Sequence, residues 1–170
     1  YIDTGYVPNS NTKVEVEFMQ LVNNTTTASV IVGLESPKFL IATDKNKSAL
    51  RCDFGSAENY TTDKYNYLNN RYNVVLDKGK VYIDGVEQTD IDMSNQEAFT
   101  ATSTLWLFAD NGYPQTNVRF NGNLYMVKIW NGDELVRDFV PAKRDYDGVR
   151  GLLDKVKNVF YTSCTSDDFT

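Results

Sequence analysis

The feature of this sequence that most restricts its fold is a succession of short apolar segments, each ended by turn-forming residues. The clearest segment reads KVYIDGV at residues 80–86, where alternating apolar and polar residues run into Asp84 and Gly85. A period of two is typical of a β-strand with one buried face, and Asp-Gly is a preferred pair at the centre of a tight hairpin. We therefore predict a hairpin here and interpret Asp84 as a turn residue, not as a calcium ligand.

The same pattern recurs along the chain. Val14, Val16 and Phe18 alternate with charged residues, which predicts a strand with one face in water. Further short apolar segments, all bounded by turn-forming residues, lie at 29–33, 38–41, 50–54, 72–76, 105–109, 123–130 and 134–140. Only residues 145–158 suggest a helical turn, after Gly151. About a dozen strands with almost no helix predict an all-β fold of two antiparallel sheets packed as a sandwich.

Length and charge restrict the class of protein further. The chain has 170 residues, of which 41% are hydrophobic, and this suits one sandwich domain over residues 1–170. No apolar stretch reaches the roughly 18 residues of a membrane-spanning helix, so membrane insertion is not expected. The net charge of −6 opposes nucleic acid, whose phosphates require a clustered basic surface. Because the chain starts at Tyr1, already inside a patterned segment, we expect it to be part of a longer protein.

Cysteine and metal chemistry are weakly represented. The chain has two cysteines, Cys52 and Cys164, and no histidine. A structural zinc site needs four Cys or His ligands, so zinc is not expected. The two cysteines are compatible with a disulfide and equally with two separate thiols.

Four blocks of the sequence, in this order, resemble domains of the concanavalin A-like lectin and glucanase superfamily, which includes laminin-G-like domains. The blocks are YIDTGYVPNSNT at 1–12, GKVYIDG at 79–85, LVRDFVPA at 135–142 and GVRGLLDKV at 148–156. The resemblance spans residues 1–169, although residues 162–168 depart from the Gly-containing end that such domains usually have. It implies a jelly-roll sandwich like those of phage or prophage tail proteins and bacterial surface proteins, and an extracellular, virion or cell-surface location.

The resemblance also raises two chemical activities that can be checked against the residues. Glycosidases of this superfamily carry paired carboxylates in a Glu-x-Asp-x-x-Glu motif on one strand, and the sequence has no such motif. Glu15 and Glu17 share a strand face, but an outward glutamate pair is typical of a solvated surface. Calcium binds some sandwiches of this type, yet it needs six to eight oxygen ligands, and no acidic segment here has that loop spacing. We therefore predict no catalytic residue and no cofactor, with calcium left open.

Ligand binding is better supported by the residues. Tyrosine and tryptophan in loops can stack on sugar rings while nearby amides and carboxylates bond the hydroxyls, and loops at sandwich ends often carry recognition. The candidate ligand-binding residues are Tyr60, Tyr65, Tyr67, Trp106, Asp110, Asn111, Tyr113 and Trp130. Each tryptophan is expected to pack between the sheets, as its size favours, or else to stand on an exposed sheet face as a platform.

These observations predict a non-catalytic domain that binds a carbohydrate or a host receptor. Its expected partners are a glycan or cell-surface receptor and other chains of a larger assembly. The alternative is a structural or decoration module that contacts neighbouring proteins only, and a glycoside hydrolase is the least favoured function. Arg137 and Asp138 are adjacent on a strand and point to opposite faces, so we expect Arg137 to be held by a carboxylate elsewhere and to lock its strand.

Overall fold

The computed structural model describes residues 1–22, 28–44, 49–61, 67–112 and 120–164, with the side chain of Tyr60 left out. Within these ranges the chain forms fifteen strands and no helix. In chain order the strands are β1 Ile2–Asp3, β2 Thr12–Gln20, β3 Ser29–Leu34, β4 Lys38–Thr43, β5 Leu50–Gly55, β6 Ala57–Tyr60, β7 Arg71–Asp77, β8 Lys80–Ile83, β9 Val86–Asp92, β10 Trp106–Leu107, β11 Asp110–Asn111, β12 Gly122–Asn131, β13 Glu134–Lys143, β14 Arg150–Asp154 and β15 Val159–Tyr161.

The strands form two sheets that share one hydrophobic core. One sheet has seven strands in the order β1-β10-β3-β4-β5-β6, with β11 also beside β3, and the other has eight in the order β15-β14-β13-β12-β2-β7-β8-β9. The named strands pair antiparallel, apart from the short parallel pair of β11 and β3. Side chains from both sheets meet in the same buried cluster. The prediction of an all-β, two-sheet sandwich is therefore confirmed.

The strand β2 shows how the alternation in the sequence becomes a layer of the core. Val14, Val16 and Phe18 are fully buried, while the charged residues between them are half-buried on the opposite face. Burying an aliphatic or aromatic side chain of this size contributes about 1.5–3 kcal/mol relative to leaving it exposed. The strand lies between β12 and β7, so this stripe of apolar residues fixes the centre of the eight-stranded sheet.

The hairpin between β8 and β9 forms where the Asp-Gly pair predicted it. Asp84 and Gly85 both have a positive φ, 49° and 79°. Positive φ at both central residues is the conformation that matches the twist of a two-residue hairpin. Asp84 Oδ1 also accepts the backbone N–H of Asn73 at 2.9 Å. The carboxylate thus stabilises the turn, and the interpretation of Asp84 as a turn residue is confirmed.

Two segments differ from the prediction. The apolar run 105–109 is not one strand, because Phe108 takes a φ of 66° and separates β10 from β11. The helical turn expected after Gly151 was wrong, since that region is β14, paired with both β13 and β15. A Cβ on Gly151 would lie 2.1 Å from the backbone oxygen of Tyr161. The glycine therefore allows β15 to approach closely, and this tertiary contact determines the local structure.

Arg137 has the structural role that was expected. It is 8% exposed, and its guanidinium donates to the backbone oxygens of Thr4 at 2.9 Å, Gly5 at 3.1 Å and Val136 at 2.7 Å. Its Nε also lies 3.5 Å from Oδ2 of Asp154, which is fully buried. Arg137 stands on the eight-stranded sheet, whereas Thr4 directly follows β1 of the seven-stranded sheet. The guanidinium therefore ties the two sheets together.

The cysteines are two free thiols. Cys52 is buried in the core and Cys164 is exposed. Burial, with a smaller contribution from the charge of Asp53, raises the pKa of Cys52 well above its ordinary value. Among the residues that the structure covers, there is no helix of the length and hydropathy needed to cross a bilayer.

Candidate binding face

The face of the seven-stranded sheet that points away from the shared core carries an unusual set of side chains. On β5, Cys52 and Phe54 belong to the core, so Arg51 and Asp53, which alternate with them, point to the opposite face. Asp53 is nevertheless only 2% exposed. A nearly buried carboxylate on the outward side of a sheet needs a partner, because burying a charge without one is costly.

The floor of this face is apolar. Leu40 and Ala42 on β4 pair with Asp53 and Arg51, and together with Val30 they form a second buried cluster separate from the main core. The polar groups of the face therefore stand beside a dry aliphatic surface. In such surroundings electrostatic interactions are stronger than in water.

The edge of the face is built around Gly33 of β3. Trp106 on β10 and Asp110 on β11 are both strand partners of Gly33. A Cβ at Gly33 would lie 2.8 Å from the backbone oxygen of Ala109 and 2.8 Å from Cα of Asp110. The absence of a side chain there lets the segment between the two strands lie close against β3. As a result, the tryptophan and the aspartate stand next to each other.

Four acidic and two basic side chains lie together on this face within the described residues. We call the face that they form with Trp106 the acidic face, and its charged members are Glu35, Lys38, Arg51, Asp53, Glu58 and Asp110.

Two of the acids, Asp53 and Glu58, form ion pairs with the two bases, Arg51 and Lys38. Arg51 binds Asp53 in a fork, with Nε 3.0 Å from Oδ1 and Nη2 2.6 Å from Oδ2, and it also lies 3.2 Å from Glu58. Lys38 contacts Glu58 from the other side. Burial raises the pKa of Asp53, and the Arg51 guanidinium opposes that rise. Asp53 is therefore held as part of an ion-paired network.

The other two acids are not matched by a base. Asp110 is 8% exposed, and its carboxyl makes a hydrogen-bonding contact with that of Glu35 at the end of β3. None of the described N–H or O–H groups donates to Asp110 Oδ1. Burial, then the contact with Glu35 and the charges of Glu35 and Asp53, raise the pKa of Asp110 to about 7, although Arg51 lowers it. The Asp110 carboxyl therefore keeps its proton to a higher pH than an ordinary aspartate does.

Trp106 lies beside the acidic pair with its ring already stacked. The rings of Tyr1 and Trp106 are nearly parallel, at 14°, with centroids 3.9 Å apart. Trp106 points away from the core because its neighbour Leu107 points into it. Its Nε1 is buried and has no acceptor among the described residues. The two rings form one apolar slab on the same sheet face as the Asp110 and Glu35 carboxyls, and Trp106 and Asp110 share Gly33 as strand partner.

Trp130 lies on the opposite side of the molecule. It is half-buried on the outward face of the eight-stranded sheet, where Lys13 Nζ lies 4.1 Å from its ring centroid. Tyr125 on the same strand is covered by the Arg71 guanidinium at 3.9 Å. Neither tryptophan packs in the core between the sheets, so the favoured expectation for both was wrong. Both are half-buried on outward sheet faces, and their role as ligand platforms stays a prediction. The structure does not bring Trp106 and Trp130 into one site.

Two further candidate residues have structural contacts of their own. Tyr67 is 2% exposed and packs in the core against Phe18, with ring centroids 6.1 Å apart, so the expectation of an exposed loop tyrosine is not met there. Asn111 donates from Nδ2 to the backbone oxygen of Thr104 at 2.7 Å, which fixes the loop that precedes Trp106.

The remaining candidates lie at or beyond the limits of the description. Tyr60 ends strand β6, where its backbone pairs with Arg51, and its side chain is not described. Tyr65 and Tyr113 lie outside the described residues. Their roles in ligand binding stay predictions. Within the described ranges, no three acidic or sulfur-containing side chains are grouped so that they could hold a metal ion.

Sequence reasoning missed most of the acidic face. Arg51 and Asp53 alternate with core residues on one strand, and this pattern could have indicated a polar outward face. No sequence signal links them to Asp110, which lies 57 positions further along the chain. Only the pairing of both β10 and β11 with β3 brings these residues together.

The fold and this face define the class as a two-sheet all-β sandwich with an aromatic slab and paired carboxyls on one outward sheet face. No protein-family model matches the chain, and no curated protein matches it. Among solved structures, the chain is similar to a Bacteroides ovatus protein described as a "putative carbohydrate binding protein", with a TM-score of 0.58 and 15% identity. The match covers 95% of this chain and 53% of that one, so this chain spans about half of its length. At this identity the likeness supports the sandwich fold alone.

Proposed function

We propose that this chain is a non-catalytic carbohydrate-binding domain of the concanavalin A-like type that binds its glycan on the acidic face. The proposal treats residues 1–170 as one domain of a surface-exposed protein, at a cell surface or on a virion, with a host-surface glycan as partner. The fold is similar to that of the Bacteroides ovatus protein, whose description names carbohydrate binding.

The observation that carries the proposal is the apolar slab of Tyr1 and Trp106 beside two unsatisfied polar atoms. Trp106 Nε1 is a donor without an acceptor, and Asp110 Oδ1 has no donor among the described residues. A sugar presents an apolar ring face for stacking, and its hydroxyls both donate and accept hydrogen bonds. A hydroxyl group can therefore satisfy either atom, while the ring packs on the slab.

The outward face of the eight-stranded sheet is less suitable, although it also carries aromatic rings. Lys13 lies over Trp130 and Arg71 lies over Tyr125, so a cation already occupies one face of each ring. A sugar that stacks on the covered face of either ring would have to displace its cation, at a cost of about 0.5–1 kcal/mol each at exposed sites.

The two tryptophans provide a matched test on a glycan array. We expect Trp106→Ala to weaken binding about thirtyfold, which corresponds to about 2 kcal/mol for a central aromatic contact. Trp130→Ala should leave binding within about threefold, since it removes a ring of the same size from the other sheet. Trp106→Phe should show an intermediate loss, because the ring remains but Nε1 is gone. Circular dichroism and urea unfolding establish that each variant is folded.

Alanine variants of Tyr65 and Tyr113 test the remaining loop predictions in the same assay. An empty array for the folded native protein would contradict the carbohydrate proposal and favour a structural module. Binding that is lost in Trp130→Ala and kept in Trp106→Ala would move the site to the other sheet.

A further inference from the structure

The acidic face has a surplus of carboxyl groups that its own cations do not neutralise. Arg51 and Lys38 are engaged by Asp53 and Glu58, as described above. Glu35 and Asp110 have no ion pair with any cation among the described residues. They make contact with each other instead, which two ionised carboxylates cannot do favourably.

A protonated Asp110 carboxyl can donate to Glu35, and the surroundings of Asp110 raise its pKa and so favour that form. Three groups from two elements act on Asp110: Glu35 at the end of β3, and Asp53 and Arg51 on β5. Only Arg51 favours ionisation, and Asp53 already binds it in a fork. The two carboxyls are therefore close together at a place where none of the described cations forms an ion pair with them.

Access to this place is through Glu35. Its side chain is half-buried, whereas Asp110 lies behind it at 8% exposure with Oδ1 lacking a donor. A cationic group at Glu35 would lie beside two carboxylates and next to the Tyr1–Trp106 slab. An ammonium group supplies three N–H donors and a positive charge, so it can bond the half-buried Glu35 carboxylate and neutralise the negative charge beside it.

We propose that the acidic face selects glycans that bear a protonated amine, with the ammonium held by Glu35 and Asp110 and the sugar ring on the slab. This inference rests on the proposed function and adds the chemical class of the ligand. Glycans rich in carboxylate or sulfate groups are disfavoured by the same surplus of negative charge. The positive charge of the bound ammonium favours the ionised form of Asp110, which releases its proton to solvent.

Three hexasaccharides with the same β-1,4-linked backbone provide the test, because they differ only at C2, where they carry an amine, an acetamide or a hydroxyl. Calorimetric titrations near neutral pH should show the amine form binding about tenfold more tightly than either of the others, as expected for a charge-assisted contact in a partly buried site. Titrations in two buffers of different ionisation enthalpy should detect proton release for the amine form. The same titrations with a chelator exclude a requirement for calcium.

Charge-matched variants separate this pair from general electrostatic attraction, since the protein is acidic overall. Asp110→Asn and Glu35→Gln should each reduce the preference for the amine to about threefold or less. Glu134→Gln removes the same unit of charge at the start of β13 on the other sheet, and it should leave the preference unchanged. Glu35 is the safer of the two sites for folding, because its side chain is only half-buried.

The outcomes distinguish this inference from the proposed function. The inference is overturned if the amine form binds no more tightly than the other two forms, or if none of the three oligomers binds. It is also overturned if Glu134→Gln reduces the preference for the amine form as much as Asp110→Asn does. A preference that disappears with the chelator also overturns it. Whether the domain binds any carbohydrate is decided separately, by the glycan array.

Discussion

Replacing Arg137 by methionine tests whether the two sheets depend on the buried guanidinium that joins them. Methionine keeps an unbranched side chain of similar length but removes the charge and every N–H donor. The backbone oxygens of Thr4, Gly5 and Val136 then lose a donor, and Asp154 Oδ2 loses its cation.

The cost follows mainly from the carboxylate left behind. Asp154 is fully buried, and its Oδ1 accepts the backbone N–H groups of Asp138 and Val156. Among the described residues, its Oδ2 accepts no hydrogen bond and forms its ion pair with Arg137, at 3.5 Å. Breaking a buried pair by removing one partner typically destabilises a protein by about 3–5 kcal/mol. We expect a loss in this range for Arg137→Met.

Urea unfolding followed by fluorescence and by circular dichroism measures the free energy of unfolding, and the slope shows whether the transition remains two-state. The control is Arg144→Met, which removes a half-buried surface arginine that binds Asp147 in a fork and should change stability little. A double-mutant cycle with Asp154→Asn should show a coupling above about 1 kcal/mol. If Arg137→Met were no more destabilising than Arg144→Met, the bond between the sheets would contribute nothing to stability.

Three further predictions concern buried groups. Because the folded-state pKa of Asp110 is raised to about 7 from 3.8, this group favours unfolding increasingly as pH rises from about 4 to 7. The full pKa difference bounds the effect at about 4 kcal/mol, and partial solvent screening reduces it to about 1–2 kcal/mol. Urea unfolding should therefore show the advantage of Asp110→Asn growing by that amount between pH 4 and pH 8. An advantage that shrinks as pH rises would contradict this sign. A thiol reagent should label Cys164 at once and Cys52 only on unfolding. Cys52 is buried, and its raised pKa disfavours the reactive thiolate. Rapid labelling of both cysteines in the folded protein would show that the core is open. Gly151→Ala should lower the free energy of unfolding by about 1–3 kcal/mol, because the added Cβ would clash with the Tyr161 backbone oxygen. An unchanged urea midpoint would mean that β15 does not approach β14 as described.

The fold could be predicted from the sequence wherever local chemistry and burial agree. The stripe of Val14, Val16 and Phe18 has a period of two, and Asp84-Gly85 favours the left-handed backbone that a tight hairpin needs. The role of Arg137 was also predictable in kind, because a charged residue in an apolar strand must find a buried partner. Its partner Asp154 was not predictable, since only the strand order brings β13 beside β14.

The candidate site was predictable only in part, because it is assembled from strands far apart in the chain. Trp106 and Asp110 were identified as candidates from their aromatic and acidic character. Asp53 and Glu35 were not, because each stands in an ordinary strand or strand-end context. Tyr67 was misplaced because a polar neighbourhood suggested a loop, while the tertiary fold buries its ring against Phe18.

The placement of the two tryptophans has an optical consequence. The chain has two tryptophans, and each stands on the outward side of a different sheet, Trp106 beside Tyr1 and Trp130 beneath Lys13. Phenylalanine at either position leaves a single indole emitter that reports on one sheet. Coincident emission changes on denaturation would show that both layers of the sandwich come apart in one step, whereas separate changes would reveal which layer opens first.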